Sequence, residues 1–135
     1  MFIPDEDYAR ILEVLPILCV DCVILHEGCF LLVRRDNEPA KGEYWFPGGR
    51  VYKGEQISAA AVRKAREEVS LACSFTKVVS VEETIFPGED QGIASAIHTL
   101  SLDQLHSDSL WVNAEQARQL GLHPAVLSPL LACLQ

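Results

Sequence analysis

Gly48-Gly49-Arg50-Val51-Tyr52-Lys53-Gly54-Glu55, then Gln56 to Val62, then Arg63-Lys64-Ala65-Arg66-Glu67-Glu68-Val69-Ser70-Leu71, reads as a glycine turn, a loop, and a helix ending in adjacent carboxylates. The glycines let the backbone come close to a bound ion or phosphate, and a carbonyl at such a turn is a hard oxygen ligand. From Glu55 to about Val69 the spacing predicts a helix, with Ile57, Ala60, Ala61 and Ala65 on one side. Lys64, Glu67 and Glu68 fall at i, i+3 and i+4, so they share a helix face. Two carboxylates and a turn carbonyl form a partial shell for Mg2+, which phosphate oxygens and water would complete.

Outward toward the N-terminus, Tyr44-Trp45-Phe46 leads into the turn, and the cluster is read as core before base-stacking platform. Asp36 to Gly42, with Pro39, is a loop. Cys29 to Val33 pairs back across His26-Glu27-Gly28 with the apolar run Ile17 to Leu25, which reads as a strand buried on both faces. Asp21 interrupts that run. It is costly to bury alone, so it is either hydrogen-bonded or part of a site. Before it, Asp5 to Leu15 places Tyr8, Ile11, Leu12 and Leu15 at helical spacing behind three acids, and Pro16 ends the helix.

Toward the C-terminus, about Ser74 to Ile85 and Ile93 to Leu100 are strand-like, with Pro87-Gly88 turning between them. Trp111-Val112 is a short apolar piece. Asn113 caps a helix through Gln119, Gly121 stops it, and Pro124 opens a last, Leu-rich helix. Hairpins mixed with helices, without regular strand-helix alternation, predict an α+β fold. With neither a repeat nor a linker, residues 1–135 form one domain.

Composition limits the function. At 49% hydrophobic residues the chain falls within the globular range and above that of disordered chains. Eleven Lys and Arg against nineteen Asp and Glu give a net charge of -8, which argues against a nucleic-acid polymer or an anionic membrane as partner. Eight of those eleven cations nevertheless lie between Arg34 and Arg66, a local basic patch suited to a small phosphate-bearing ligand. The five cysteines are an odd number, and no secretory leader is visible at the start, so a reducing, cytoplasmic compartment is expected. Cys19 and Cys22 form a CxxC inside the first strand, where residues three apart face opposite sides; these read as structural thiols. No apolar run approaches the length of a membrane span.

The glycine-loop-helix segment resembles the Nudix box, G-x5-E-x7-R-E-U-x-E-E-x-G-U, with U a bulky aliphatic. Gly49, Glu55, Arg63, Glu67, Glu68 and Leu71 match at the right spacing. Lys64 stands where the pattern has the Glu of its R-E pair, Ala65 is small for an aliphatic, and Ser70 replaces the Gly. The resemblance implies an α/β/α sandwich with a mixed β-sheet and a loop-helix-loop catalytic motif. A Lys on the metal face removes a ligand and adds a charge, so it favours a single Mg2+; alternatively, Lys64 merely pairs with Glu68 one turn on.

Within the family the chain is similar to the GDP-mannose mannosyl hydrolase branch, which also lacks the R-E glutamate. The segments that carry this likeness are Met1 to Tyr8, the strand with Asp21, and Arg35-Asp36-Asn37-Glu38-Pro39-Ala40-Lys41-Gly42. Glu43 to Arg50 and His106-Ser107-Asp108 ahead of Trp111 belong to the same set. The resemblance implies a nucleoside diphosphate sugar as substrate and Mg2+ as cofactor, with Mn2+ as an alternative. The metal ligands would be the Gly49 carbonyl and Glu68, with Glu67 as a further or outer ligand. Arg35, Arg50 and Arg63 would neutralise the diphosphate, Asp21 would touch nucleotide or sugar, and His106 would be the general base on water. Leu105 stands where the branch has a Gln metal ligand, with Gln104 one residue earlier. Two alternatives stay open: phosphoanhydride cleavage, with a glutamate such as Glu82 or Glu83 near the water, and a module that binds nucleotides without turnover. The Leu-rich last helix and exposed strand edges are compatible with a homodimer.

Overall fold

The computed structural model describes residues 2–35, 41–85, 92–102 and 110–133. Helix α1 (Asp5–Val14) begins with three acids in its first turn, where the helix dipole is positive, and none of its residues is buried. Strands β1 (Ile17–His26) and β2 (Cys29–Arg34) form the expected hairpin. Its two turn residues, Glu27 and Gly28, have φ of 49° and 75°, the left-handed pair that matches strand twist in a two-residue loop. There follow β3 (Tyr44–Trp45), β4 (Gly48–Arg50), α2 (Ile57–Val69), β5 (Cys73–Ile85), β6 (Gly92–Leu102), β7 (Leu110–Val112), α3 (Ala114–Gln119) and α4 (Pro124–Ala132).

The strands lie in the order β3-β2-β1-β6-β5, with β4 also on β1 and β7 also on β2. β1 and β6 run parallel while the other pairs are antiparallel, so the sheet is mixed. Alternation along β1 builds two cores. Val20, Cys22 and Ile24 pack with Leu31 and Leu71 under Ala60, Ala61 and Ala65 of α2, whose small side chains bring the helix close to the sheet. Val23 faces the opposite core, with Phe30, Leu32, Trp45, Phe46 and Val112 against Ala117 of α3 and Val126 and Leu130 of α4. The molecule is an α+β fold in α/β/α layers, and Trp45 and Phe46 belong to its core.

Local signals in the C-terminal third hold as read. Asn113 accepts the Gln116 N–H at 2.9 Å while the Gln116 side chain accepts the Asn113 N–H at 2.9 Å, a reciprocal cap on α3. Pro124 opens α4, where His123 Nδ1 accepts the Ala125 N–H at 3.1 Å. The structure departs from the sequence reading at β1 and at the start of α2. Leu18 is 42% exposed, because the two cores gather β1 from Val20 onward and neither includes Leu18. α2 starts at Ile57 rather than Glu55, because the Glu55 carboxylate folds back to accept the Tyr52 N–H.

Cys19, Cys22, Cys29 and Cys133 are thiols outside any disulfide. Cys22 donates to the Ala61 carbonyl at 3.4 Å, and burial, with Asp21 adding to it, pushes its pKa up to about 12, an inert core thiol. No helix among the described residues is long and apolar enough to cross a membrane.

Helix α2 ends at Ser70, which adopts the left-handed conformation at φ 56° and ψ 31°. Glycine reaches that region without the Cβ clash that costs other residues about 1–2 kcal/mol. Ser70→Gly is therefore expected to raise unfolding free energy by about 0.5–1 kcal/mol after the entropy of the extra glycine is counted, as read from urea midpoints at unchanged m-value.

Candidate active site

The glycine turn is fixed by backbone pairing to β1. Cys22 N–H donates to the Pro47 carbonyl at 2.7 Å, Val51 N–H donates to the Leu18 carbonyl at 3.0 Å, and Asp21, Val20 and Cys19 lie opposite Gly48, Gly49 and Arg50. Space there permits only glycine at position 48, since a Cβ would run into the Val20 carbonyl oxygen and lie 2.9 Å from Asp21 Oδ1. Pairing with β1 thus sets the half-buried Asp21 beside the turn.

Arg63 organises the loop between turn and helix. Its Nε donates to Glu55 Oε2 at 2.7 Å, and Nη2 donates to Glu55 Oε1 at 2.8 Å and to the Arg50 carbonyl at 3.0 Å. Nη1 donates to Glu67 Oε1 and Oε2 at 3.2 and 3.1 Å, so all five guanidinium N–H groups point at protein acceptors. The guanidinium also lies 3.8 Å from the centre of the Tyr52 ring. The Arg63 hydrogen bonds hold the Glu55 carboxyl down at about 2, and the Glu55 hydrogen bonds hold the Arg63 guanidinium above its ordinary value. Loop, turn and helix are thereby clamped through one side chain.

On the face of α2 that carries Glu67 and Glu68, Lys64 Nζ donates to Glu68 Oε1 at 2.8 Å and to Glu67 Oε2 at 3.3 Å. Burial alone would push the ammonium pKa down, but hydrogen bonds and charge from Glu68 and Glu67 outweigh it and leave it raised. Burial would likewise raise the Glu67 carboxyl, and its bonds to Arg63 and Lys64 hold it low instead. The Lys64 stem runs over the turn, so that a Cβ on Gly49 would lie 2.5 Å from Lys64 Cε and 3.0 Å from Nζ. Gly49, Glu67 and Glu68 are thus gathered around one ammonium group.

Arg50, on the turn, and Arg35 are the other two cations placed near it. Arg50 sits 5.5 Å from the Tyr8 ring of α1 and 5.7 Å from the Tyr52 ring, and Arg35 lies 5.5 Å from the Trp45 ring. Arg35, Arg50 and Lys64 all act on the Cys19 thiol, partly offsetting burial and Asp21, which push its pKa up to about 11. Three cations and one carboxylate therefore lie within electrostatic reach of the same point on β1. The Tyr8 and Tyr52 rings around Arg50 were not read from sequence as site residues; a tyrosine two residues past a turn arginine is a signal too common to single out. His106 lies outside the described residues, as do Gln104 and Leu105. Glu82 and Glu83 are on β5, the far edge of the sheet.

The donor set suits one hard cation. Glu68 keeps 43% of its side chain exposed and is open to an ion from the solvent side, while Glu67, 44% exposed, has both oxygens held by Arg63. Among the described residues no three His, Cys, Asp or Glu converge into a closed cage. An open oxygen set of this kind matches Mg2+, which takes one or two carboxylates and completes its octahedron with phosphate and water.

Comparison with known proteins shows the family. The NUDIX domain model matches residues 16–125. The chain is 34% identical over 134 residues to the low-salt glycan biosynthesis protein Agl8 of Haloferax volcanii, covering 92% of this chain and 86% of that protein. It is 41% identical over 66 residues to an ADP-ribose pyrophosphatase of Methanocaldococcus jannaschii, covering 49% of this chain and 39% of that protein. A NUDIX hydrolase structure from Nitrosomonas europaea superposes with a TM-score of 0.77 at 16% identity, over 89% of each chain. With the family model spanning both the clamped loop and the carboxylate helix, this chain belongs to the NUDIX family of hydrolases.

Proposed function

We propose that this chain hydrolyses a nucleoside diphosphate sugar of the GDP-mannose kind, with water attacking the sugar C1 and the nucleoside diphosphate leaving. The observation that carries this reading is the donor set at the turn. Gly49, Glu68 and secondarily Glu67 would supply oxygen ligands for one cation, a reading supported by Lys64, which bonds Glu68 and lies over Gly49, and Arg35 and Arg50 would receive the diphosphate. When bound, a divalent cation supplies counter-charge to the diphosphate. Departure of the sugar leaves an additional negative charge on the diphosphate, and the guanidinium groups of Arg35 and Arg50 stabilise that charge as it grows. Arg63, with its donors engaged by Glu55, Glu67 and Arg50, acts as a positioning residue for the turn. Asp21, beside Gly48, would hold a hydroxyl of sugar or nucleotide.

In the reaction the water oxygen bonds to C1 and the C1–O bond to the diphosphate breaks, its electron pair staying on the phosphate oxygen. The water proton passes to His106, whose imidazole suits that task near neutral pH. The names of two relatives support a sugar-bearing nucleotide: one protein is named for glycan biosynthesis, the other for ADP-ribose.

The pyrophosphatase match favours a second reading, attack at phosphorus. The products separate the two. Chromatography after incubation with Mg2+ and GDP-mannose is expected to give GDP and free sugar, with His106→Ala abolishing that pair. GMP with sugar phosphate, formed equally by wild type and His106→Ala, would overturn the carbon-attack reading.

A further inference from the structure

Glu67 and Glu68 lie in the last turn of α2, the negative end of the helix dipole, where adjacent carboxylates repel each other and the terminus. A cation must compensate them. In most i, i+4 pairs on a helix surface, a solvated lysine does this weakly. Lys64 differs in three respects. Its side chain is only 14% exposed, its ammonium bonds both carboxylates, and its stem and Nζ fill the space that a side chain at Gly49 would take, Gly49 being the residue whose carbonyl is proposed to complete the donor set. The ammonium therefore shares its neighbours with the ion proposed for this site.

We propose that Lys64 is a tethered cation standing in the divalent-metal position, so that an ion binds Gly49 and Glu68 by exchange, the ammonium leaving as the ion enters. This rests on the metal-site reading of Gly49 and Glu68. Exchange means that every ion bound must break the Lys64–Glu68 hydrogen bond and move a positive charge out of a half-buried position, so the free protein holds metal weakly.

The test is Mn2+ binding to the full-length protein, followed by electron paramagnetic resonance of the free ion, with no substrate present. Lys64→Met, which keeps the length and removes the charge, is expected to bind Mn2+ at least about tenfold more tightly than wild type, within the range by which groups around metal ligands tune affinity. Lys64→Gln, a second neutral variant, is expected to do the same if Lys64→Met folds poorly. Lys64→Arg, which keeps the charge, is expected to bind like wild type. Unchanged or weaker binding by both neutral variants would overturn the exchange, as would equal tightening by Lys64→Arg. Glu68→Gln separates the two levels of the argument. If it leaves wild-type Mn2+ binding unchanged, the metal-site reading fails; if it weakens binding while the neutral variants do not tighten it, the exchange alone fails.

Discussion

Glu68→Gln is expected to lower turnover by about a hundredfold or more while leaving the fold intact. The substitution keeps the shape of the side chain and removes the carboxylate of the donor set that, among the described residues, is bonded to Lys64 alone. Glu67 cannot take over fully, because Arg63 holds both its oxygens. Glu68 is nearly half exposed, so its loss should change unfolding free energy by no more than about 0.5 kcal/mol, as for other surface positions. Paired measurements of kcat/KM at saturating Mg2+ and of the urea midpoint check both parts. Activity near that of wild type would remove Glu68 from the site.

Arg63→Met is expected to cost about 2–4 kcal/mol of stability, the scale for removing one partner of a poorly solvated charged hydrogen-bond network. Both sides of the bidentate pair are partly covered, at 21% exposure for Arg63 and 17% for Glu55, so the carboxylate left behind is only partly solvated. The Arg50 carbonyl and the Tyr52 ring lose the same partner. This pair also shapes the acid limb of stability. Glu55 is held at about 2 against an ordinary 4.5, so the folded state binds its proton less readily than the unfolded chain. Its contribution is complete above about pH 5 and is lost as pH falls through 4.5 toward 2. Chemical denaturation from pH 6 down to pH 3 should therefore show a steeper loss for wild type than for Arg63→Met. Parallel slopes would show that the pair does not contribute as described.

Much of this molecule was legible because its signals are local. The Asn113 cap, Gly121, Pro124 and the hairpin across Glu27-Gly28 depend on a few neighbouring residues, and each lies where the sequence places it. The box residues were legible as a motif, and the Lys64–Glu68 pair one helical turn apart was legible as one of two roles for Lys64. Contacts that close through the sheet were not. Arg63 reaches eight residues back to Glu55 only because β4 pairs with β1 and fixes the far end of the loop. Lys64 meets Gly49 for the same reason, and sequence spacing left its role divided between a metal-face charge and a simple helix pair. The exposed Leu18 depends on where the two cores begin along β1, which periodicity within the strand does not encode. α1 was legible as a helix, and its contact with the site through Tyr8 and Arg50 was not.

Attack at the sugar carbon is the central claim, and an isotope decides it directly. Purified protein, Mg2+ and GDP-mannose would be incubated in 18O-labelled water and the products followed by phosphorus NMR. GDP whose phosphates carry no label, with the isotope in the released sugar, is the expected result. Label on the phosphate of GMP or of mannose phosphate would place the attack at phosphorus and contradict it.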